Sequence, residues 1–187
     1  MRRITPVLLC LLALALCAST AWAQADSLKI DYFSNAHTAG APDATVRLTH
    51  PGTAPGNVCA SLFVFDPEQE LTECCSCLLT PDGLRTLSVN TDLTSNPLTG
   101  VILNTGLLKI VSTFPVAGTC PLPTAVRPEP AVRSWATHIQ NSNFSVTETS
   151  SVDATLSAGE INRLAAQCRG IALVGSGSGV CRCGTGD

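Results

Sequence analysis

The chain has 187 residues, 45% hydrophobic and 13% charged, with 10 cysteines, 12 prolines and a formal net charge of −3. That balance is too apolar and too weakly charged for a disordered chain, and the length suits one domain or two small ones. Lys29 and Lys109 are the only lysines, so no basic stripe exists to neutralise phosphates and nucleic-acid binding is disfavoured.

Residues 1–23 read as an export signal. Met1, Arg2 and Arg3 give a positive start, Val7 to Cys17 is apolar, and Ala21-Trp22-Ala23 is a small-x-small cleavage site. Cleavage there leaves about 164 residues with eight cysteines, and nine basic against fourteen acidic side chains, a net charge near −5. No later run reaches membrane length, so the mature chain is expected to carry no transmembrane anchor and to be secreted or periplasmic.

From Leu28 to Phe114, short runs of Val, Leu, Ile, Thr and Phe alternate with Gly, Pro, Asn and Asp, the pattern of a sandwich or barrel of short strands. Strands are expected over Leu28–Phe33, Ala44–His50 and Val58–Phe65, the last apolar almost throughout, as a central strand would be. Asp66-Pro67-Glu68-Gln69 is a turn, with proline where a fixed φ is already correct, and Glu70–Cys75 is the return strand. Pro81-Asp82-Gly83 makes the next turn into Leu84–Val89, and Leu107–Thr113 follows a polar loop over Asn90–Asn96. Five prolines between 115 and 130 exclude ladder pairing and predict a crossing over the outside of the sheets. Ala131–Gln140 reads as a further strand, with Trp135 expected to fill the core.

A C-terminal helix over 157–174 is the clearest single element. Ser157 is placed as N-cap with Glu160 three residues on, and Leu156 and Ile161 stand where a hydrophobic staple needs them. Ile161, Leu164, Ala165, Cys168, Ile171 and Ala172 recur at three-and-four spacing, and Gly175 is expected to end the helix in the left-handed conformation. Residues 175–187 form a Gly/Cys tail. The fold class is therefore mainly β: an immunoglobulin-like or related antiparallel sandwich over 24–187 as one domain, with one amphipathic helix and up to four disulfides.

The eight remaining cysteines are Cys59, Cys74, Cys75, Cys77, Cys120, Cys168, Cys181 and Cys183. An even set in an exported chain reads as disulfides, although eight cysteines allow 105 connectivities. Neighbours and pairs one residue apart bridge only with strain. If such local bridges are excluded and all eight pair, Cys74, Cys75 and Cys77 need three distant partners and only one of these can be Cys59. At least two bridges must then run from this hairpin to the C-terminal part. The other reading of Cys-Cys-x-Cys and Cys-x-Cys is a thiolate site for Cu(I) or zinc; an oxidising compartment and the lack of Cys-x-x-Cys weigh against it.

Further constellations are less specific. His138 is the one histidine placed on an expected strand where a fixed catalytic role is conceivable. Asp66, Glu68, Glu70 and Glu73 form a carboxylate group expected to be solvated. Asn90, Asp92, Thr94 and Asn96 offer alternating oxygens without the calcium-loop pattern. Gly175-Ser176-Gly177-Ser178-Gly179 is neither a nucleophile elbow nor a dinucleotide fingerprint, and is expected to be a flexible connection for Cys181 and Cys183.

Phe63-Val64-Phe65-Asp66, Glu73-Cys74-Cys75-Ser76-Cys77, Thr80-Pro81-Asp82-Gly83-Leu84, Thr137-His138-Ile139-Gln140 and Gly175-Ser176-Gly177 with Cys181-x-Cys183-Gly184 resemble a group of small exported, cysteine-rich bacterial proteins of unassigned function. The resemblance implies export and disulfides and brings no activity. The expected function is a noncatalytic structural or adhesive module with a protein or cell-surface partner, with no cofactor and no catalytic residue; the alternative is a small-ligand or metal-binding protein using the cysteine clusters or acidic loops.

Overall fold

The computed structural model describes residues 27–184, so the segment read as an export signal, residues 1–23, lies outside the described residues. Nine strands are arranged in two antiparallel sheets: β1 (Leu28–Phe33), β2 (Thr45–Thr49), β3 (Val58–Phe65), β4 (Leu71–Leu79), β5 (Leu84–Ser88), β6 (Gly106–Thr113), β7 (Arg133–Gln140), β8 (Ser145–Ser150) and β9 (Val152–Ala154). Sheet order is β4-β3-β6-β1-β9 in the larger and β5-β2-β7-β8 in the smaller. One α-helix among the described residues, α1 (Ala158–Val174), follows. The expected sandwich, its helix and its four disulfides are present.

Strand alternation explains the layering. On β3, Val58, Ala60, Leu62 and Val64 enter the core between the sheets, joined by Leu48, Leu87, Ile110 and Ala136. Phe63 and Phe65 point the other way and meet Leu164, Cys168 and Ile171 of α1. The larger sheet is thus covered on both faces, which is why β3 is buried at all eight positions and reads as an unbroken apolar run. The β3–β4 turn closes with Gln69 in the left-handed region (φ 70°), its N–H donating to the Asp66 carbonyl at 3.1 Å.

The proline-rich crossing carries the chain from β6 to β7, between the two sheets. It is pinned by the Glu129 N–H to Ser112 carbonyl bond at 2.8 Å and by the Cys59–Cys120 disulfide. At Ser151 the chain steps back from the smaller sheet to the larger, ending β8 and beginning β9.

Several expectations are corrected. β4 extends to Leu79, and the supposed loop after β5 opens with one turn of π-helix over Val89–Leu93, capped by the Ser88 side chain. β8 and β9 were not foreseen. Trp135 does not fill the core: Ser134, Ala136 and His138 take the inward positions of β7, and Trp135 faces out, 37% exposed. Gly175 is right-handed (φ −72°), and the left-handed residue is Ser176 (φ 48°). Glycine at 175 answers to crowding instead, since a Cβ there would lie 2.3 Å from the Ser178 carbonyl oxygen. The Gly-Ser segment is not slack either. Gly179 donates to the Asn96 carbonyl and accepts from Cys74 N–H at 2.7 and 2.9 Å.

Candidate functional site

Strand β4 organises the covalent framework. Cys74 points to the helix side and bonds Cys168, while Cys75 and Cys77 point to the other face and bond Cys181 and Cys183 of the tail. Adjacent residues on a strand serve opposite faces, so one Cys-Cys pair fastens the helix on one side and the tail on the other. All three bridges run from the hairpin to the C-terminal part, one more than the minimum of two expected from the spacing. The tail lies parallel to β4, with Cys74 bridged to Val180.

Glu73 stands on the same face of β4 as Cys75 and Cys77 and is completely buried, so it is not among the solvated turn carboxylates. Its Oε1 accepts from the Asn96 N–H at 3.0 Å; Oε2 has no partner. Burial raises its pKa from 4.5 to about 7, against the opposing pull of the Asn96 hydrogen bond and the Arg182 charge. Alternation placed Glu73 on the disulfide face, a signal that the sequence held.

The sulfurs of Cys75, Cys77 and Cys183 lie within 4.8 Å of one another. Each is already bonded to another sulfur, so none is the thiolate that a metal would need. Cys183 is half-buried and borders an open groove of about 600 Å³, lined also by Thr45, Ser88, Asp92 and Arg182. The oxygen-bearing loop builds no cation cage. Asp92 Oδ2 accepts from Ser88 N–H at 2.8 Å, Thr94 Oγ1 donates to the Val89 carbonyl at 2.7 Å, and Asn96 Nδ2 donates to the Gly177 carbonyl at 2.8 Å.

His138 is buried on the inner face of β7, its ring stacked on Tyr32 with centroids 4.2 Å apart. Nε2 lies 2.8 Å from Thr149 Oγ1 and 3.4 Å from Asp31 Oδ1, while Nδ1 has no partner. A nucleophile–base–acid relay needs hydroxyl and carboxylate on opposite ring nitrogens; here both address the same one. Asp31 also accepts from Ser151 Oγ at 2.7 Å, and Ser134 Oγ donates to Ser151 Oγ at 2.8 Å. The cluster joins β1, β7 and the β8–β9 step, a structural use of these groups.

A cavity of about 370 Å³ lies where α1 meets β3 and β6, lined by Phe65, Asp66, Gln69, Leu107, Lys109 and Arg163. Both cations bind Glu160, at 2.6 Å from Lys109 and 2.7 Å from Arg163, and both lie 5.5 Å from the Phe65 ring centre. The Arg163 hydrogen bond foremost, with Lys109, holds the Glu160 carboxyl below its ordinary range. The site's positive charge is thus already shared with a carboxylate.

The outer face of the smaller sheet is different, because no element among the described residues covers it. Trp135 lies opposite Arg47 of β2 and Ser150 of β8, and Arg47 pairs with Glu148 across β7. Thr45 and Thr137 are joined by hydrogen bonds beside them. All six residues of β8 are exposed, Val146 at 54%, and among the described residues β8 pairs only with β7, leaving its other edge without a strand partner there.

No helix among the described residues is long and apolar enough to cross a membrane. A scan against protein-family models, a search of curated proteins and a search of solved structures each find no match.

Proposed function

We propose that the protein is an exported, noncatalytic interaction module, structural or adhesive, of the cell envelope or extracellular space. The observation that carries this reading is the open β8 edge beside Trp135. An exposed edge offers unpaired backbone donors and acceptors to an extended segment of a partner, and natural proteins usually blunt such edges with lysine, proline or a covering loop. The sequence Ser-Val-Thr-Glu-Thr-Ser carries one charge and no proline. Trp135 supplies the large, rigid apolar surface typical of residues that dominate binding energy. The positive start, apolar run and small-x-small site of residues 1–23, the four disulfides and the resemblance to exported cysteine-rich proteins support export.

The test measures binding of the labelled mature protein to intact cells and envelope fractions of its source. Trp135→Ala with Val146→Lys is expected to weaken that binding about tenfold or more, with the fold retained by circular dichroism. Unchanged binding by the double variant overturns the assignment of the surface. Elemental analysis with a free-thiol count checks the competing metal reading: bound metal together with free thiols would make the cysteine clusters the functional centre.

A further inference from the structure

Two of the four disulfides form a ladder between parallel segments. Cys75 and Cys77 sit two apart on one face of β4, and Cys181 and Cys183 sit two apart on the tail beside it. The inner rung, Cys75–Cys181, is buried at both ends, whereas the outer rung joins buried Cys77 to half-buried Cys183 at the mouth of the groove. The sulfurs of Cys75, Cys77 and Cys183 are within 4.8 Å of one another, so the rungs are close enough to exchange. The Arg85 guanidinium donates to the Cys183 carbonyl at 2.7 Å, placing a fixed cation next to the residue that would become a thiolate. Apart from the outer rung, the tail is also held by the inner rung and by the Arg182 N–H to Asp92 carbonyl bond at 2.8 Å.

We propose that this ladder is a thiol–disulfide exchange site that accepts reducing equivalents from a dithiol, a function beyond the binding surface. The donor's thiolate enters by the groove and attacks Cys183 Sγ. A mixed disulfide forms, the Cys77–Cys183 bond breaks, and its electron pair leaves on Cys77 Sγ, which takes a proton. The donor's second thiol gives up its proton and attacks the donor sulfur of the mixed disulfide, expelling Cys183 as thiolate and closing the donor's own disulfide. Two electrons have then passed from the donor to Cys77 and Cys183, with one of the donor's protons on Cys77 and the other released to solvent, so that Cys183 is left as the thiolate. Cys183 is next placed to attack Cys75 Sγ: a Cys75–Cys183 bond forms, the Cys75–Cys181 bond breaks, and the free thiol moves to Cys181. Attack by Cys77 on Cys75 would instead join two residues of one strand, which strains the bridge.

The experiment treats the oxidised mature protein with one molar equivalent of dithiothreitol without oxygen, quenches with N-ethylmaleimide and maps the labels by mass spectrometry. Expected labels fall on Cys77, Cys181 and Cys183, with Cys75 protected, and Cys59, Cys120, Cys74 and Cys168 unlabelled. A Cys77→Ala/Cys183→Ala variant, which keeps the inner rung, should react about tenfold more slowly or less. Labels confined to Cys77 and Cys183 would overturn the transfer between rungs, and labels spread over all four bridges, or none, would overturn the site. A parallel arm with a reduced Cys-x-x-Cys peptide separates the sources of the dithiol: faster reaction than with dithiothreitol identifies a protein donor, equal or slower reaction a small one.

Discussion

Glu73 carries a carboxyl that the fold removes from water and satisfies on one oxygen only. In the unfolded chain the group titrates near 4.5, and in the folded one near 7. Between these values the unfolded chain releases a proton that the folded protein keeps, so stability falls as pH rises through the window. The slope approaches about 1.4 kcal/mol per pH unit, so the total across the window is at most about 3 kcal/mol. Above pH 7 both states are ionised and the loss levels off; below 4.5 both are protonated and it vanishes. Glu73→Gln removes this titration while keeping an oxygen for Asn96 N–H. Urea unfolding of both proteins should show the variant gaining on the parent from pH 4.5 to 7 and then running parallel to it. A constant difference across that range would contradict a buried carboxyl. The gain is read as a slope because the Gln amide adds its own unpaired group, which shifts every pH equally.

Helix α1 shows how much one element can disclose. The Glu160 N–H bonds Ser157 Oγ at 3.1 Å, as the capping pattern predicts, but the Glu160 side chain turns to Lys109 and Arg163 instead of closing the box. Ser157→Ala should therefore cost about 1 kcal/mol and lower the melting temperature by about 2–4 °C, while Ser157→Gly costs only a few tenths. Equal losses for the two would mean that the cap is not what the serine contributes. Elements with a buried face were legible. β1 and β3 lie at the expected residues because one or both faces demand apolar side chains. β8 was illegible for the opposite reason: nothing on it is buried, so its sequence carries no periodicity for a reader to find. Trp135 was misplaced because hydrophobicity alone does not tell which face of a strand is inward. A one-residue phase choice on β7 exchanges Trp135 with Ser134 and Ala136. The candidate site suffers most from this, since the proposed contact surface is made of the residues whose burial gives no signal.

Across the whole molecule, stability depends on how the disulfide loops overlap more than on their number. Three bridges span separations of 94, 106 and 106 residues and the fourth spans 61. Taken singly, loops of that size would each contribute about 4–5 kcal/mol by restricting the unfolded chain. They do not act singly. With Cys75–Cys181 in place, Cys77–Cys183 closes only the ring of residues 75–77 and 181–183, for which the same relation gives about 2 kcal/mol. Cys59–Cys120 shares no such short ring and should keep about 4 kcal/mol. The comparison is clean because the packing terms match: Cys59 and Cys77 are both buried, and Cys120 and Cys183 are both half-buried. Urea unfolding of Cys77→Ala/Cys183→Ala and of Cys59→Ala/Cys120→Ala should therefore give losses in a ratio near one to two, by this estimate. Equal losses would show that loop restriction does not govern the framework. A larger loss for the Cys77–Cys183 pair would show that the tail depends on its outer rung, and that this rung cannot be opened without unseating the tail.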